Sequence, residues 1–172
     1  MIINAIAAVD INMAIGKNNQ LPWRAAADMA FFKKTTLNNS VLMGFNTYLS
    51  LPKSLPSRNN IVLTSKNIAQ LHSDGFYFVN NIEQAINICQ QLHSNQLFII
   101  GGAQIYTQFL AYCNYLYLSH IYTSVEMADV YFPDIPKEWQ LIQKEHKKAA
   151  ENTTFDIDFC LYQNNNIKVL LY

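Results

Sequence analysis

Residues 97–110 read LFIIGGAQIYTQFL, an apolar strand pattern that ends in two glycines and continues as a helical pattern. Residues 41–49, VLMGFNTYL, repeat the order of strand, glycine and helix. A strand that ends in glycine before a helix lets the backbone approach a ligand and point free N–H groups at a phosphate. The glycines could also be simple tight turns, but two such units among five glycines favour a pyrophosphate site. The motif GxGxxG is absent, so a different α/β arrangement is expected to bind any dinucleotide.

Strand and helix patterns alternate along the chain. Strands are predicted at Ile2–Val9, Ser40–Met43, Asn60–Thr64, Gly75–Val79, Leu97–Ile100, Tyr115–Ile121, Phe155–Gln163 and Lys168–Tyr172, and helices at about Ala25–Leu37, Asn46–Leu49, Ile82–Leu92 and Ala103–Leu110. The alternation predicts an α/β fold with three layers, αβα, around an eight-stranded, mostly parallel sheet. No helix separates the last two strands, so an antiparallel C-terminal hairpin through residues 164–166 is expected to finish the sheet.

The composition predicts a single domain over residues 1–172 that needs no metal. Apolar residues make up 51% and charged residues 14%, so a full core can form. Twelve basic and twelve acidic residues balance, which argues against nucleic acid or an anionic membrane as the partner. No apolar run is long enough to span a bilayer, and the first ten residues are typical of a strand rather than a signal peptide. Cys89, Cys113 and Cys160 lack CxxC spacing, which favours reduced thiols in a cytoplasmic protein.

One isolated carboxylate, Asp28, lies early in a helical segment rich in Ala, Met and Phe. Helical geometry puts Asp28 and Phe32 on one face. The acid could serve only the helix dipole, or it could lie in an apolar cleft and pair with a cationic or amidine-like ligand. The preceding segment, AIGKNNQLPW over residues 14–23, is rich in turn formers and ends in Pro-Trp. A loop of this kind beside the end of a strand is typical of a lid that covers a binding site.

The ordered set of motifs resembles dihydrofolate reductase in its single-domain bacterial form. The matching residues are Ile6-Ala7-Ala8, Ile15-Gly16, Leu21-Pro22-Trp23, Asp28, Phe32-Lys33, Met43-Gly44 with Thr47, Leu55-Pro56-Ser57-Arg58, Ile100-Gly101-Gly102 with Tyr106, Tyr117-Leu118-Ser119-His120-Ile121 and Phe132-Pro133. The resemblance implies reduction of 7,8-dihydrofolate to 5,6,7,8-tetrahydrofolate with NADPH. It also implies a monomer that binds antifolates such as trimethoprim or methotrexate.

By this resemblance, Asp28 hydrogen-bonds the pterin and promotes protonation at N5 through water near Trp23, while hydride passes to pterin C6. Leu21 lies at the sealing position of the lid, where other members often carry Met. Ser119 stands where Thr is usual and can still bond Asp28, and Arg58 would clamp the glutamate α-carboxylate. The remaining implied substrate contacts are Ile6, Met29, Phe32, Lys33, Leu51, Lys53 and Leu55.

The resemblance also implies a set of cofactor contacts. They are Ala8, Ala14, Ile15, Gly16, Lys17, Asn18, Asn19, Gln20, Gly44, Phe45, Asn46, Thr47, Thr64, Ser65, Lys66, Asn80, Ile100, Gly101, Gly102, Ala103, Gln104, Ile105, Tyr106 and Gln108, with a cis Gly101-Gly102 peptide. Phe45 and Gln104 depart from the family, which has Arg or Lys at the first position and often Arg at the second. A reduced preference for NADPH over NADH is therefore expected, with either the Lys66 charge or the hydroxyls of Thr64 and Ser65 supplying what remains.

Two other functions fit parts of the sequence. The related reductase of riboflavin synthesis shares the implied fold and NADPH use, but its substrate has no pterin edge for Asp28 and no glutamate tail for Arg58. A non-catalytic nucleotide-binding module need not retain Asp28, Trp23, Arg58 and the Gly101-Gly102 pair together. Both alternatives are therefore disfavoured.

Overall fold

The computed structural model describes residues 1–18, 20–150 and 154–169. The strands are β1 Ile2–Val9, β2 Ala14–Gly16, β3 Ser40–Gly44, β4 Asn59–Leu63, β5 Phe76–Val79, β6 Gln96–Ile99, β7 Tyr115–Ile121, β8 Val130–Tyr131, β9 Trp139–Lys147 and β10 Ile157–Asn164. The helices are α1 Ala26–Thr36, α2 Phe45–Ser50, α3 Ile82–Gln91 and α4 Ala103–Phe109, with short 3₁₀ turns at Ile68–Gln70 and Leu110–Tyr112. None of these helices is long and apolar enough to cross a bilayer.

Eight strands form one sheet in the order β5-β4-β3-β6-β1-β7-β10-β9. The six strands from β5 to β7 are parallel to their neighbours, and β10 is antiparallel to both β7 and β9. The predicted α/β fold with a mostly parallel, eight-stranded sheet is therefore confirmed. A second small sheet pairs β2 with β8. It attaches the first residues of the expected lid to the segment after β7.

The predicted C-terminal hairpin is wrong in one of its strands. β10 pairs with β9, which the sequence analysis did not predict, and Lys168 and Val169 lie in no strand. Every residue of β9 after Trp139 is exposed, so the strand lacks the apolar alternation that marks a half-buried strand. The Lys168 N–H instead donates to the Ala111 carbonyl at 3.0 Å. Residues 170–172 of the predicted last strand lie outside the described residues.

The helix α1 explains where a cleft forms. Its apolar side chains are only partly covered: Phe31 and Phe32 are half-buried and Met29 is 55% exposed, whereas Asp28 and Thr36 are buried. The Phe31 ring packs against Phe159 of β10 with centroids 4.6 Å apart. A helix that buries a carboxylate and leaves apolar groups uncovered lines an opening in the core rather than sealing it.

Candidate active site

Asp28 lies in the first turn of α1, and 9% of its surface is exposed. Burial raises the pKa of this carboxyl above its usual value of 3.8, and the nearby Ser119 hydroxyl opposes part of that rise. No salt bridge reaches Asp28 among the described residues. A shielded carboxylate without a cation is costly for the fold, and such groups are typical of functional sites. The cleft interpretation is thus favoured over the dipole interpretation, because a carboxylate that serves only the dipole would be solvated.

Three buried side-chain polar atoms lack a hydrogen-bond partner of good geometry within the described part of the chain: Asn4 Oδ1 and the two that concern this site, Trp23 Nε1 and Ser119 Oγ. Ser119 is on β7, opposite Ala8 of β1, and Trp23 packs with Ala8 in the same apolar cluster. Buried polar groups are nearly always hydrogen-bonded, so these two mark places where ligand or solvent atoms complete the structure.

An apolar wall stands beside this carboxylate. The core cluster around buried Ile6 and Phe98 is covered by partly buried side chains, which include Phe32, Leu51 and Leu55. Four predicted substrate contacts (Ile6, Phe32, Leu51 and Leu55) therefore meet in one cluster although they come from three segments of the chain. Met29 and Leu21 do not join it, since they are 55% and 59% exposed. Their predicted roles, substrate contact for Met29 and sealing of the lid for Leu21, stay predictions.

Arg58 is held in place before any ligand contact. Its Nε donates to the Pro56 carbonyl at 3.0 Å, and its Nη1 donates to Thr36 Oγ1 at 3.2 Å. Asn60 Nδ2 donates to the carbonyls of Leu55 and Arg58, both at 3.0 Å, and so fixes the loop. Burial lowers the pKa of Arg58, but a guanidinium stays charged in proteins. Lys33 and Lys53, the other predicted cations, are exposed.

The two glycine units lie side by side in the structure. The N–H of Gly44, at the end of β3, donates to the Gly101 carbonyl, at the end of β6, over 2.7 Å. Gly101 has φ of +107°, and a Cβ there would lie 3.0 Å from the Tyr106 ring. A Cβ on Gly44 would lie 2.9 Å from Ile105 Cγ1. The Gly101-Gly102 peptide is cis, as the family resemblance implied.

Each glycine turn leads into a short helix, α2 or α4, whose first N–H groups have no partner inside the helix. The two turns therefore lie side by side before α2 and α4, the arrangement that the predicted pyrophosphate site requires. The other predicted contacts of these helices differ in exposure: Asn46, Gln104 and Gln108 are exposed, Thr47, Ile100, Gly102 and Ala103 are half-buried, and Ile105 and Tyr106 are buried. Tyr106 faces inward, because its hydroxyl donates to the Ile6 carbonyl at 2.7 Å.

The two positions that decide the expected cofactor preference touch each other. Lys66 Nζ lies 4.5 Å from the centre of the Phe45 ring. The backbone N–H of Lys66 donates to Thr64 Oγ1 at 3.2 Å, and Asn80 Nδ2 donates to the Lys66 carbonyl at 3.0 Å. Thr64 is buried, whereas Ser65 and Lys66 are exposed. The lysine is thus held over position 45, where the family usually carries a cation of its own.

The expected lid begins at β2, where Ala14 and Gly16 pair with Tyr131 and Val130 of β8. Beyond it, Lys17 and Gln20 exchange backbone hydrogen bonds, both 3.0 Å long. Two contacts join this loop to the segment after β7: Lys17 Nζ donates to the Glu126 carbonyl at 2.8 Å, and the Asn18 N–H donates to Asp129 Oδ2 at 3.0 Å. Half-buried Ile15 packs on the main core. Asn19, another predicted contact, lies outside the described residues.

Sequence reasoning missed the residues that hold the site from behind. Asn60 fixes the loop of Arg58, and Asp129 accepts from the lid. Neither has a local signal, because each acts on a segment that only the fold brings near. The sequence Arg58-Asn59-Asn60 contains a weak local signal, because Asn side chains commonly stabilise turns. No cluster of three His, Cys, Asp or Glu side chains able to hold a metal occurs among residues 1–18, 20–150 and 154–169.

A parallel sheet with two adjoining glycine turns, a lid and a shielded carboxylate in an apolar cleft is typical of a nucleotide-dependent α/β enzyme. The model of the dihydrofolate reductase family matches residues 2–164. The dihydrofolate reductase of Bacillus subtilis is 36% identical over 165 residues, covering 95% of each chain. That of Buchnera aphidicola subsp. Acyrthosiphon pisum is 40% identical over 156 residues, covering 88% of this chain and 93% of the relative.

A solved dihydrofolate reductase from Enterococcus faecalis, complexed with NADP(H) and RAB-propyl, superposes with a TM-score of 0.87 at 27% identity. The match covers 95% of this chain and 96% of that one. The chain belongs to the dihydrofolate reductase family. It is an NADPH-dependent oxidoreductase that reduces 7,8-dihydrofolate to tetrahydrofolate, and the riboflavin-pathway alternative is not favoured.

Proposed function

We propose that the reduction of dihydrofolate takes place in the cleft between α1 and the ends of β1 and β7, with Asp28 as the group that promotes protonation of the pterin at N5. The observation that carries this assignment is the buried Asp28 carboxylate, which has no cationic partner among the described residues. A pterin presents an amidine-like edge that fills this need. Oxidation of NADPH on addition of dihydrofolate, followed by its absorbance, tests the assignment when wild type and Asp28 variants are compared.

The substrate is positioned by three kinds of contact. Asp28 accepts hydrogen bonds from the 2-amino and N3 side of the pterin, and a carboxylate shielded from water binds such an edge strongly. Trp23 Nε1 and Ser119 Oγ supply polar atoms beside it, in keeping with their being unsatisfied. The apolar wall of Ile6, Phe32, Leu51 and Leu55 holds the pterin and benzoyl groups. Arg58, already fixed by its loop, donates its remaining N–H groups to the glutamate α-carboxylate.

The residues at the two glycine turns fit a dinucleotide. A Cβ at Gly44 or Gly101 would collide with Ile105 or Tyr106, so glycine is needed at both turns to keep them packed against α4. The remaining predicted contacts would extend this surface along the lid and past β4. When bound, NADPH supplies the hydride that pterin C6 receives. Asp28 favours the protonated pterin, Tyr106 steadies the β1 carbonyl beside it, and the lid excludes water.

The wider setting is also a proposal. The chain works as a single domain over residues 1–172 and as a monomer, in the cytoplasm, with neither nucleic acid nor a membrane as partner. The balanced formal charge and the three reduced cysteines support this setting. Antifolates such as trimethoprim or methotrexate would bind in the same cleft, because a diaminopyrimidine or diaminopteridine presents the amidine edge that Asp28 needs.

The exchange of Phe45 for Arg should widen the preference for NADPH over NADH. NADPH differs from NADH only in its 2′-phosphate. The family resemblance places position 45 at that group, and we expect Lys66 to lie there too because its Nζ is 4.5 Å from the centre of the Phe45 ring. One further charged hydrogen bond is worth about 1.5–3 kcal/mol, or roughly tenfold to a hundredfold in the ratio of kcat/KM values, and less if exposed. Lys66→Ala should narrow the ratio by removing the nearest charge.

Both effects are read from kcat/KM for the two cofactors. Lys137→Ala is the matched control, since this exposed lysine precedes β9 at the opposite edge of the sheet and should leave the ratio unchanged. An unchanged ratio in Phe45→Arg would show that position 45 does not face the 2′-phosphate. An unchanged ratio in Lys66→Ala would leave the hydroxyls of Thr64 and Ser65 as the determinants.

A further inference from the structure

The side chain of Asp10 joins two segments that flank the lid. It is 1% exposed and directly follows β1. Its Oδ1 accepts the backbone N–H groups of Asn12 and Ala14, both at 2.8 Å, and its Oδ2 accepts the N–H of Val125 at 2.8 Å. One oxygen therefore closes the turn that leads into β2, and the other holds the segment after β7.

The two segments held by Asp10 run toward the lid together. Residues 14–18 begin at the Asp10 contact, pair with β8 and end at Asn18, whose N–H donates to Asp129 Oδ2 at 3.0 Å. Residues 125–129 begin at the other Asp10 oxygen and end at Asp129 itself. Between these two ends, Lys17 Nζ of the first segment donates to the Glu126 carbonyl of the second. The buried carboxylate of Asp10 thus joins the two segments at one end, and the exposed carboxylate of Asp129 joins them at the other.

We propose that Asp10 is a positioning residue for the reaction: its carboxylate sets residues 12–14, where the lid begins, against Val125 and thereby positions the lid beside the cofactor. This inference rests on the proposed function, since it assigns residues 14–20 to the cofactor side. The Ile11 N–H also donates to the Thr123 carbonyl at 3.1 Å, and Asn12 Nδ2 donates to Ser124 Oγ at 3.1 Å. Hydrogen bonds to a charged acceptor are about twice as strong as neutral ones, so the Asp10 bonds are the strongest of these connections. Asp10 touches neither the proposed pterin pocket nor the glycine turns through its hydrogen bonds.

Two substitutions separate positioning from simple stability. In Asp10→Asn, the amide oxygen still accepts from the 12–14 turn, but its NH₂ group faces the Val125 N–H, donor against donor. Asp10→Ala loses both connections. We expect the two variants to be similarly slow in single-turnover reduction of dihydrofolate, by roughly tenfold to a hundredfold, because a small misplacement of a closing element has effects of that size. The alanine variant should unfold at the lower temperature, because it also loses the turn.

The matched control is Asp158→Asn. Asp158 is 4% exposed and, like Asp10, accepts three hydrogen bonds, here from Lys144 Nζ, His146 Nδ1 and Tyr122 OH. Two of these reach β9 and the third reaches Tyr122, directly after β7, so none reaches residues 12–14, where the lid begins. This control should lower the melting temperature and leave the single-turnover rate unchanged. A second readout, NADPH affinity from quenching of tryptophan fluorescence, should weaken in both Asp10 variants and stay unchanged in the control.

The outcomes distinguish this inference from the proposed function. If wild type binds NADPH but fails to reduce dihydrofolate, the proposed function is wrong. If wild type is active and Asp10→Asn matches it in both single-turnover rate and NADPH affinity, while only its melting temperature falls, Asp10 is merely structural and the positioning role is overturned. The positioning role is supported if the melting temperature of Asp10→Asn lies between those of wild type and Asp10→Ala while its single-turnover rate is as low as that of Asp10→Ala.

Discussion

Asp28→Asn is expected to lower turnover at neutral pH by roughly a hundredfold to ten-thousandfold, the usual worth of a positioned acid–base group. Asn keeps the shape of the side chain but removes the charge that favours protonated substrate. Activity should recover in part as the pH falls, because the pterin then takes its proton from solution. Steady-state kcat measured across a pH series checks both effects, and near-wild-type turnover at neutral pH would reject Asp28 as the key group.

The same variant should be more stable than wild type at pH 7, which guards against unfolding as the cause of lost activity. Burial raises the folded-state pKa of Asp28 above the ordinary value of 3.8, so the ionised form is favoured by unfolding. The penalty is absent below about pH 3.8, where both states hold the proton, and is fully present above the raised pKa. The melting-temperature advantage of Asp28→Asn should therefore shrink as the pH falls toward 3.8. NADPH affinity should be unchanged.

Arg58→Ala should raise the KM for dihydrofolate far more than it lowers kcat. The contact with the glutamate tail is similar in the ground and transition states, so its loss affects binding more than the chemical step. A charge-assisted hydrogen bond is worth about 1.5–3 kcal/mol, which corresponds to roughly tenfold to a hundredfold in KM. Arg58→Lys should be intermediate, because the charge remains while the fork that matches a carboxylate is lost.

A dihydropterin without the benzoyl-glutamate tail provides the control for Arg58. Its kcat/KM should be nearly the same in wild type and Arg58→Ala, because neither enzyme can contact a tail that is absent. Equal losses for both substrates would mean that Arg58 acts through its own loop, by way of its contacts with Pro56 and Thr36. A KM for dihydrofolate that does not change would make it a surface residue only.

The parts of the fold that were predictable are those with a local signal. β1 and β7 have the predicted bounds because both are mainly apolar runs, with a polar residue after the first and before the second, in which most positions are buried or half-buried. The glycine turns were predictable because glycine is rare in this chain and each follows a strand. Asp28 stood out as one acid among apolar residues, although its burial could not be read from the sequence, since the same pattern fits an exposed helix start.

The parts that were not predictable depend on distant contacts. β9 carries Lys, Glu and His on exposed positions, so only its pairing with β10 makes it a strand. The Asp10 carboxylate bonds Val125, which lies 115 residues further along the chain. The contact between Lys66 and Phe45 brings together the turn after β4 and the start of α2. Residues that make contacts with distant parts of the chain follow no helical or strand periodicity, so the sequence pattern does not indicate them.

The most direct test of the central claim is a single turnover with NADPH deuterated at the transferred position of nicotinamide C4. Enzyme in excess is mixed with this cofactor and 7,8-dihydrofolate, and the folate product is examined by mass spectrometry and NMR. The account predicts one tetrahydrofolate per NADPH consumed, with the deuterium at pterin C6 and a rate that collapses in Asp28→Asn. Consumption of NADPH without deuterated tetrahydrofolate, or a rate unaffected by Asp28→Asn, would contradict it.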